Sequence, residues 1–344
     1  MSNSQSDSGT KAFGRAIFWP LFIVAVVAFS FYATQRYGEN RARVVFITAD
    51  TTPFWQRVSD GARDAAAQYG VELAIVSPDG SLEGQNSQID SAIATAQAMV
   101  ISPVDAERQT GKLRDVANRA VLITVDSDSD LSDRRCFVGM DNYAAGQDAA
   151  GLIRAALPNG GRVLIAAGPL DKTNGQERRQ GIIDALLRRE SRSALNADAI
   201  DAELTGPQFT IAGTVVDDLT TESATLRIAS ALRDDPELDA VVGLYAYHAP
   251  AIVAAVAEAA TGRDIAVIGF DALPETLDAI ENGVVYGVIA QDQYGYGFHS
   301  VRMAAEAVEG YDNAPLSRKL TLPPLSVTQM SLDRVREDLG MTKP

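Results

Sequence analysis

From Val44 onward the sequence alternates short apolar runs with longer segments of helical periodicity, and no other feature restricts the fold as strongly. The first unit shows the pattern. Val44-Val45-Phe46-Ile47 is a β-branched run of the length expected for a buried strand. A polar turn follows as far as Thr52, a candidate N-cap, and Pro53 stands where a first helical residue belongs. Val58, Ala62, Ala65, Ala66 and Tyr69 then recur at helical spacing, and Gly70 stops the helix. Phe54 and Trp55 fall in its first turn, beside the carboxyl end of the strand, where open α/β sheets bind ligands. Periodicity alone also allows both rings to be core, with Trp55 joining the stripe through Val58.

Further strands are expected at Val71–Val76, Ala98–Ile101, Val121–Val125 and Cys136–Gly139, and helices at Leu82–Ala96, up to Ala120, and at Asn142–Ala156. The pattern then restarts. Strands are expected at Arg162–Ala166, Thr210–Val216, Ala240–Leu244, Ile265–Gly269 and Val284–Ala290. The helices between them are placed at Gln176–Arg189, Ser223–Arg233, Ala249–Ala260, Leu273–Glu281 and Tyr294–Val308, before a Pro/Leu-rich tail. Such alternation calls for α/β architecture with parallel sheets covered by helices on both faces. About ten strands exceed what one doubly wound sheet usually holds, so two lobes with a sheet each is the economical arrangement. No Gly/Pro/Ser-rich linker separates them, which implies strands that cross over directly.

Residues 1–43 stand apart. A polar, Ser-rich start and the basic Lys11 and Arg15 precede Ala16–Ala33, eighteen residues without a charge and just long enough to span a bilayer. The run is long for a signal-peptide core, and cleavage before Thr34 would place bulky Phe31 at the −3 position. No cysteine near its end offers a lipoprotein anchor. An uncleaved anchor in the inner membrane is the first reading, a cleaved signal the second and a buried soluble helix the third. Either of the first two puts the remainder on or beyond a membrane. The net charge of −15 argues against wrapping nucleic acid, which needs a basic footprint. The one cysteine, Cys136, forbids an intramolecular disulfide, and two histidines leave little for a His-based metal site.

Polar residues collect where strands end: Asp50, Asp126, Asp271 and Gln291. Each alone suits a turn or cap, but together, at the carboxyl edges of two sheets, they suit a cleft. Enzyme signatures are missing: no G-x-G-x-x-G after the first strand, no P-loop, no G-x-S-x-G and no H-E-x-x-H. The run Asp126-Ser-Asp-Ser-Asp130 is no calcium loop, because Leu131 stands where glycine is needed and Phe137 where the bidentate glutamate is needed. Arg178, near the expected start of a helix, opposes the helix dipole and so suggests another task, with a solvated charged face as the plain alternative.

These residues carry a resemblance. Pro53-Phe54-Trp55 with Asp60-Gly61, Ile101-Ser-Pro-Val-Asp105, Ile123-Thr-Val-Asp126, Gly139-Met-Asp141-Asn142 with Gly146, Glu177-Arg178 with Gly181, Val267-Ile-Gly-Phe-Asp271 and Ala290-Gln291 occur in compatible order and spacing. From Val44 to Val327 the chain resembles the periplasmic sugar-binding proteins of bacterial ABC transporters, the ribose-binding branch, which shares its fold with lac-repressor-type effector domains. The resemblance implies the type I periplasmic-binding-protein fold: two α/β lobes joined by three hinge crossovers. Lobe one is then 44–141 plus 292–321, and lobe two 142–291 plus the tail to 344. It also implies that Phe54 and Trp55 sandwich a sugar ring, that Asp126 and Asp271 accept from hydroxyls, and that Arg178 and Gln291 bridge hydroxyls and ring oxygen.

Departures accompany it. Ser127 stands where ribose binders have arginine, Thr52 where they have asparagine, and Tyr245 replaces a second asparagine in Leu244-Tyr-Ala-Tyr-His248. The third aromatic of the ribose site is missing near Asp217-Asp218. The hydroxyl pattern therefore differs from that of ribose. Asp141 completes the candidate set. The expected function is extracytoplasmic binding of a small polyhydroxylated ligand, a monosaccharide in class, by a monomer that uses no cofactor and hands it to an ABC permease. A sensor that shows its closed state to a membrane signalling partner is the alternative. An enzyme on this architecture lacks its motifs, and a DNA-binding regulator would need a helix-turn-helix at 16–33.

Overall fold

The computed structural model describes residues 41–170, 173–190, 198–260, 262–309 and 319–338. The apolar run at 16–33, and the anchor expected there, lie outside the described residues. Within them no helix is long and apolar enough to cross a membrane.

The first sheet has six strands. β1 (Arg43–Ile47), β2 (Glu72–Val76), β3 (Ala98–Ile101), β4 (Val121–Val125) and β5 (Cys136–Gly139) are joined by β12 (Lys319–Thr321) in the order β12-β5-β4-β3-β1-β2, with every pairing parallel. Its crossovers carry helices α1 (Pro53–Tyr69), α2 (Leu82–Ala92) and α3 (Ala106–Ala117). β3 and β5 are buried at every residue, as parallel strands covered on both faces must be.

The second sheet has seven strands in the order β13-β11-β10-β9-β6-β8-β7. They are β6 (Gly161–Ala167), β7 (Leu204–Thr205), β8 (Phe209–Val216), β9 (Ala240–Gly243), β10 (Ala266–Phe270), β11 (Gly287–Ala290) and β13 (Leu325–Thr328). β7 and β13 pair antiparallel at the two edges and the rest are parallel. The remaining helices are α4 (Asn142–Ala156), α5 (Thr173–Leu186), α6 (Thr221–Asp234), α7 (His248–Ala259), α8 (Pro274–Glu281), α9 (Gln293–Val308) and α10 (Leu332–Asp338). α4 packs on β10 and β11, whereas α9 packs on β3, β4 and β5, so the chain leaves the first sheet before α4 and returns to it at α9.

Two helix pairs approach closely enough to need glycine. A Cβ on Gly297 of α9 would lie 1.8 Å from the Val58 carbonyl oxygen of α1, and one on Gly61 2.0 Å from that of Tyr294. In the other lobe a Cβ on Gly146 of α4 would lie 2.2 Å from the Arg178 carbonyl oxygen of α5. Backbone-to-backbone packing of this kind sets how closely the two helices of each pair approach.

The structure revises several boundaries. The second half of the expected strand Val284–Ala290 holds, but Gly283 turns at φ 71° and β11 begins only at Gly287. α5 starts at Thr173, earlier than expected, and ends at Leu186 because Arg188 adopts φ 55°. α2 stops at Ala92 instead of Ala96. β7, β12, β13 and α10 were not anticipated. Thr52 occupies the cap position of α1 without a side-chain cap bond; its own N–H donates to Asp50 Oδ1 at 2.7 Å.

Candidate functional site

The two sheets end in the same device. Asp126 follows β4 and Asp271 follows β10, and both sit in left-handed backbone, at φ 61° and 62°. Each donates its N–H across to the neighbouring strand, Asp126 to Val138 O at 2.9 Å and Asp271 to Ile289 O at 2.8 Å. Left-handed backbone costs a non-glycine residue on the order of 1 kcal/mol, and aspartate tolerates it better than most. Turning the chain at the strand end directs a carboxylate out of each sheet edge.

Around Asp271 the site is dense. Arg178, in α5, is 2% exposed, so the solvated-face alternative fails. Its Nε donates to Asn142 Oδ1 at 2.9 Å and its Nη1 to Leu244 O at 2.8 Å. The guanidinium lies 4.7 Å from the Phe270 ring centroid and 5.9 Å from that of Tyr245, a geometry suited to a planar cation. Gln291 follows β11, and its Nε2 donates to Asp271 Oδ1 at 2.9 Å. Burial pushes the Asp271 carboxyl above the usual carboxylate range, with Arg178 and Gln291 pulling the other way. Tyr296 of α9 donates its hydroxyl to Gln291 Oε1 at 3.3 Å. Burial raises that phenol well above its ordinary value, and the negative charge of Asp126 adds to it, so it remains a donor.

The aromatic pair of α1 is less simple than expected. Trp55 is 4% exposed and belongs to the core, while Phe54 is half-buried at its edge. Their rings meet edge to face at 78°, centroids 5.0 Å apart, so they form no shared flat platform. Phe54 also meets Tyr296 edge to face at 6.4 Å and is the ring nearer the polar cluster.

Tyr245 stands in the loop between β9 and α7, stacked on Tyr247 with planes 3° apart. Its N–H donates to Nδ1 of buried His248 at 3.0 Å. That acceptor role assigns the ring proton to Nε2, which faces Asp217 Oδ2 at 2.8 Å. Tyr247 donates to the other Asp217 oxygen at 2.7 Å. Despite its burial, which works against ionisation, Asp217 is held below the usual carboxylate range by the bonds from His248 and Tyr247.

A cavity of about 570 Å³ opens between the strand ends of the first sheet and the starts of α4 and α5, lined by Asp126, Ser127, Asp141, Asn142, Glu177 and Thr321 among others; Phe54, Arg178, Tyr245, Asp271 and Gln291 do not line it. Burial and the charge of Asp141 push the Glu177 carboxyl up. The later aspartates of the run after β4 serve structure: Asp128 pairs with Arg134, and Lys319 lies 3.4 Å from Asp130. Among the described residues no group of three or more His, Cys, Asp or Glu could hold a metal ion.

Contacts and shared neighbours thus link Arg178, Tyr245, Asp271 and Gln291 directly, with Asp126 and Phe54 beside them through Tyr296. Asp50 and Thr52 are occupied with each other in their own turn. Asp141 is exposed and caps α4, accepting from Ala144 N–H at 3.0 Å. Sequence reasoning missed Tyr296, Asn142 and His248. Tyr294, Tyr296 and Phe298 recur at every second position of α9, a spacing that scatters them around a helix, so only packing shows which ring faces the cluster.

A periplasmic binding protein domain matches residues 43–312. The ribose import binding protein of Salmonella typhimurium is 22% identical over 291 residues, covering 84% of this chain and 92% of the relative. The D-allose-binding periplasmic protein of Escherichia coli is 22% identical over 299 residues, covering 83% and 90%. A solute-binding protein of an ABC transporter from Burkholderia graminis, solved with D-arabinose, superimposes with a TM-score of 0.75 at 23% identity over 85% of this chain and 96% of that one. Two parallel-dominated sheets whose strand ends face one another, and a family match across most of the length, lead to one conclusion: the chain belongs to the periplasmic binding proteins, of the type I fold.

Proposed function

We propose that this protein binds a monosaccharide-sized polyhydroxylated ligand between its two lobes, outside the cytoplasm, and delivers it to an ABC import permease. The observation that carries the reading is the repeated strand-end aspartate, Asp126 and Asp271, each turned out of a sheet edge by left-handed backbone. Two carboxylates, the buried Arg178 fork and the Gln291 amide make a set of charge-assisted partners suited to hydroxyl groups. Phe54 offers its ring to the ligand's C–H face, with Trp55 packed behind it, and Tyr245 closes the side belonging to the second sheet. Such a site rejects analogues lacking a hydroxyl, because it would keep an unpaired buried group. Family membership and the sugars named for the relatives support the sugar class.

The lobe boundaries proposed are 44–141 with 292–321 and 142–291 with 322–344, hinged at the three crossovers, and closure over the ligand follows from that arrangement. Ala16–Ala33 would tether the monomer to the inner membrane, keeping the binding lobes beside the permease. The test is calorimetry of the full chain against pentoses, hexoses, inositols and nucleosides, paired with tryptophan emission of Trp19→Phe protein, in which Trp55 is the sole tryptophan. A saturable heat with one sugar and a matching emission change are expected. Binding of nothing in the panel overturns the sugar reading. Membrane fractionation checks the tether: the full chain should sediment with membranes and a chain starting at Gly38 should not.

A further inference from the structure

Gln291 is held at both ends of its amide. Nε2 donates to Asp271 Oδ1 at 2.9 Å, and Oε1 accepts from the Tyr296 hydroxyl at 3.3 Å. The two anchors belong to different parts of the molecule. Asp271 ends β10 in the second sheet, whereas Tyr296 rides on α9, which packs against the first. Tyr296 is 1% exposed, and its neighbours include the charges of Asp126, Arg178 and Asp271. An amide anchored once can still swing about its last torsion; anchored twice, it keeps one orientation, and less entropy is lost when a ligand meets it. Asp271 alone excludes the flipped amide, which would set Oε1 against a carboxylate oxygen. The hydroxyl contributes what Asp271 cannot, a hold from the first turn of α9, the helix that packs on the first sheet.

We propose that Tyr296 is a positioning residue of the ligand site: its hydroxyl, in the first turn of α9, clamps the Gln291 amide against Asp271 where the chain crosses from β11 into α9, and presets the hydrogen-bonding edge the ligand meets. The proposal rests on the sugar-binding reading for its effect on affinity, but the clamp itself is testable without any ligand. In the full-length protein the side-chain amide signals of Gln291 are assigned in nitrogen–proton spectra by their loss in Gln291→Ala. Tyr296→Phe, which keeps the ring, should shift that pair and speed its exchange with water; unmoved signals overturn the clamp. Affinities for D-ribose, D-allose and D-arabinose are then measured in both single variants and the double variant. Tyr296→Phe should weaken whichever of these sugars the wild type binds by about tenfold. In the Gln291→Ala background the same change should cost less than about twofold, because the residue acts through Gln291. Equal losses in both backgrounds overturn the proposal. If the wild type binds neither these three nor any other member of the calorimetry panel while the amide signals respond as expected, the clamp stands and the sugar reading falls.

Discussion

His248 is held at both ring nitrogens: Nδ1 accepts from the Tyr245 N–H and Nε2 faces Asp217. Replacing Asp217 with alanine strands the His248 ring proton and the Tyr247 hydroxyl in a buried place, at a cost of about 2–3 kcal/mol at neutral pH by the usual penalty for orphaned groups. Urea unfolding reads it. The pH dependence has a definite sign. Asp217 titrates below its unfolded value, so its stabilisation is present above the ordinary carboxylate range and is lost as pH falls through the folded pKa. Asp271 titrates above its unfolded value and acts in the opposite sense: the folded state holds that proton more tightly, and its contribution is full below the ordinary carboxylate range and is lost as pH rises from there through the raised folded pKa. Asp217→Asn should therefore flatten the acid limb of the stability profile, whereas Asp271→Asn should steepen the net rise of stability with pH. At this scale the sequence was legible where chemistry follows chain position. Asp126, Asp271 and Gln291 stand out as candidates because each follows an apolar run directly. Tyr296 and Asn142 do not stand out this way, because their hydrogen-bond partners lie outside their own helices, Gln291 at the end of β11 and Arg178 on α5.

Elements whose apolar runs are complete were readable to the residue: β3, β4, β5 and α4 have the expected bounds. β12 and β13 were lost in a tail where Pro323-Pro324 interrupts any periodicity, and β7 is two residues long. What a linear pattern cannot carry is the distance between helices, and glycine supplies it. Gly297→Ala would drive a methyl group into the Val58 carbonyl, 1.8 Å away, and must push α9 off α1. The expected loss is more than about 2 kcal/mol, toward the upper end for overpacking, because backbone on both sides resists. A fall in thermal midpoint measures it. Gly151 of α4, whose added Cβ meets nothing within 4 Å, is the control, and Gly151→Ala should be neutral or slightly stabilising.

For the whole molecule the proposed hinge makes a shape prediction. Saturating sugar should shrink the radius of gyration in solution scattering, and Asp126→Ala should abolish the change at the same sugar concentration by removing a partner from one lobe. An unchanged radius on saturation would leave binding without closure. The connectivity of the sheets reaches beyond ligand binding, to how the chain is made. Strands β6 to β11 follow one another without leaving the second sheet, but the first sheet waits for β12 to pair with β5, and α1 waits for α9 to cover its stripe. A polypeptide emerging amino terminus first must therefore carry half a domain, with apolar surface uncovered, until the whole of the other lobe has been synthesised. Its own topology delays completion of the first lobe, a delay that would suit the proposed export of the chain across a membrane.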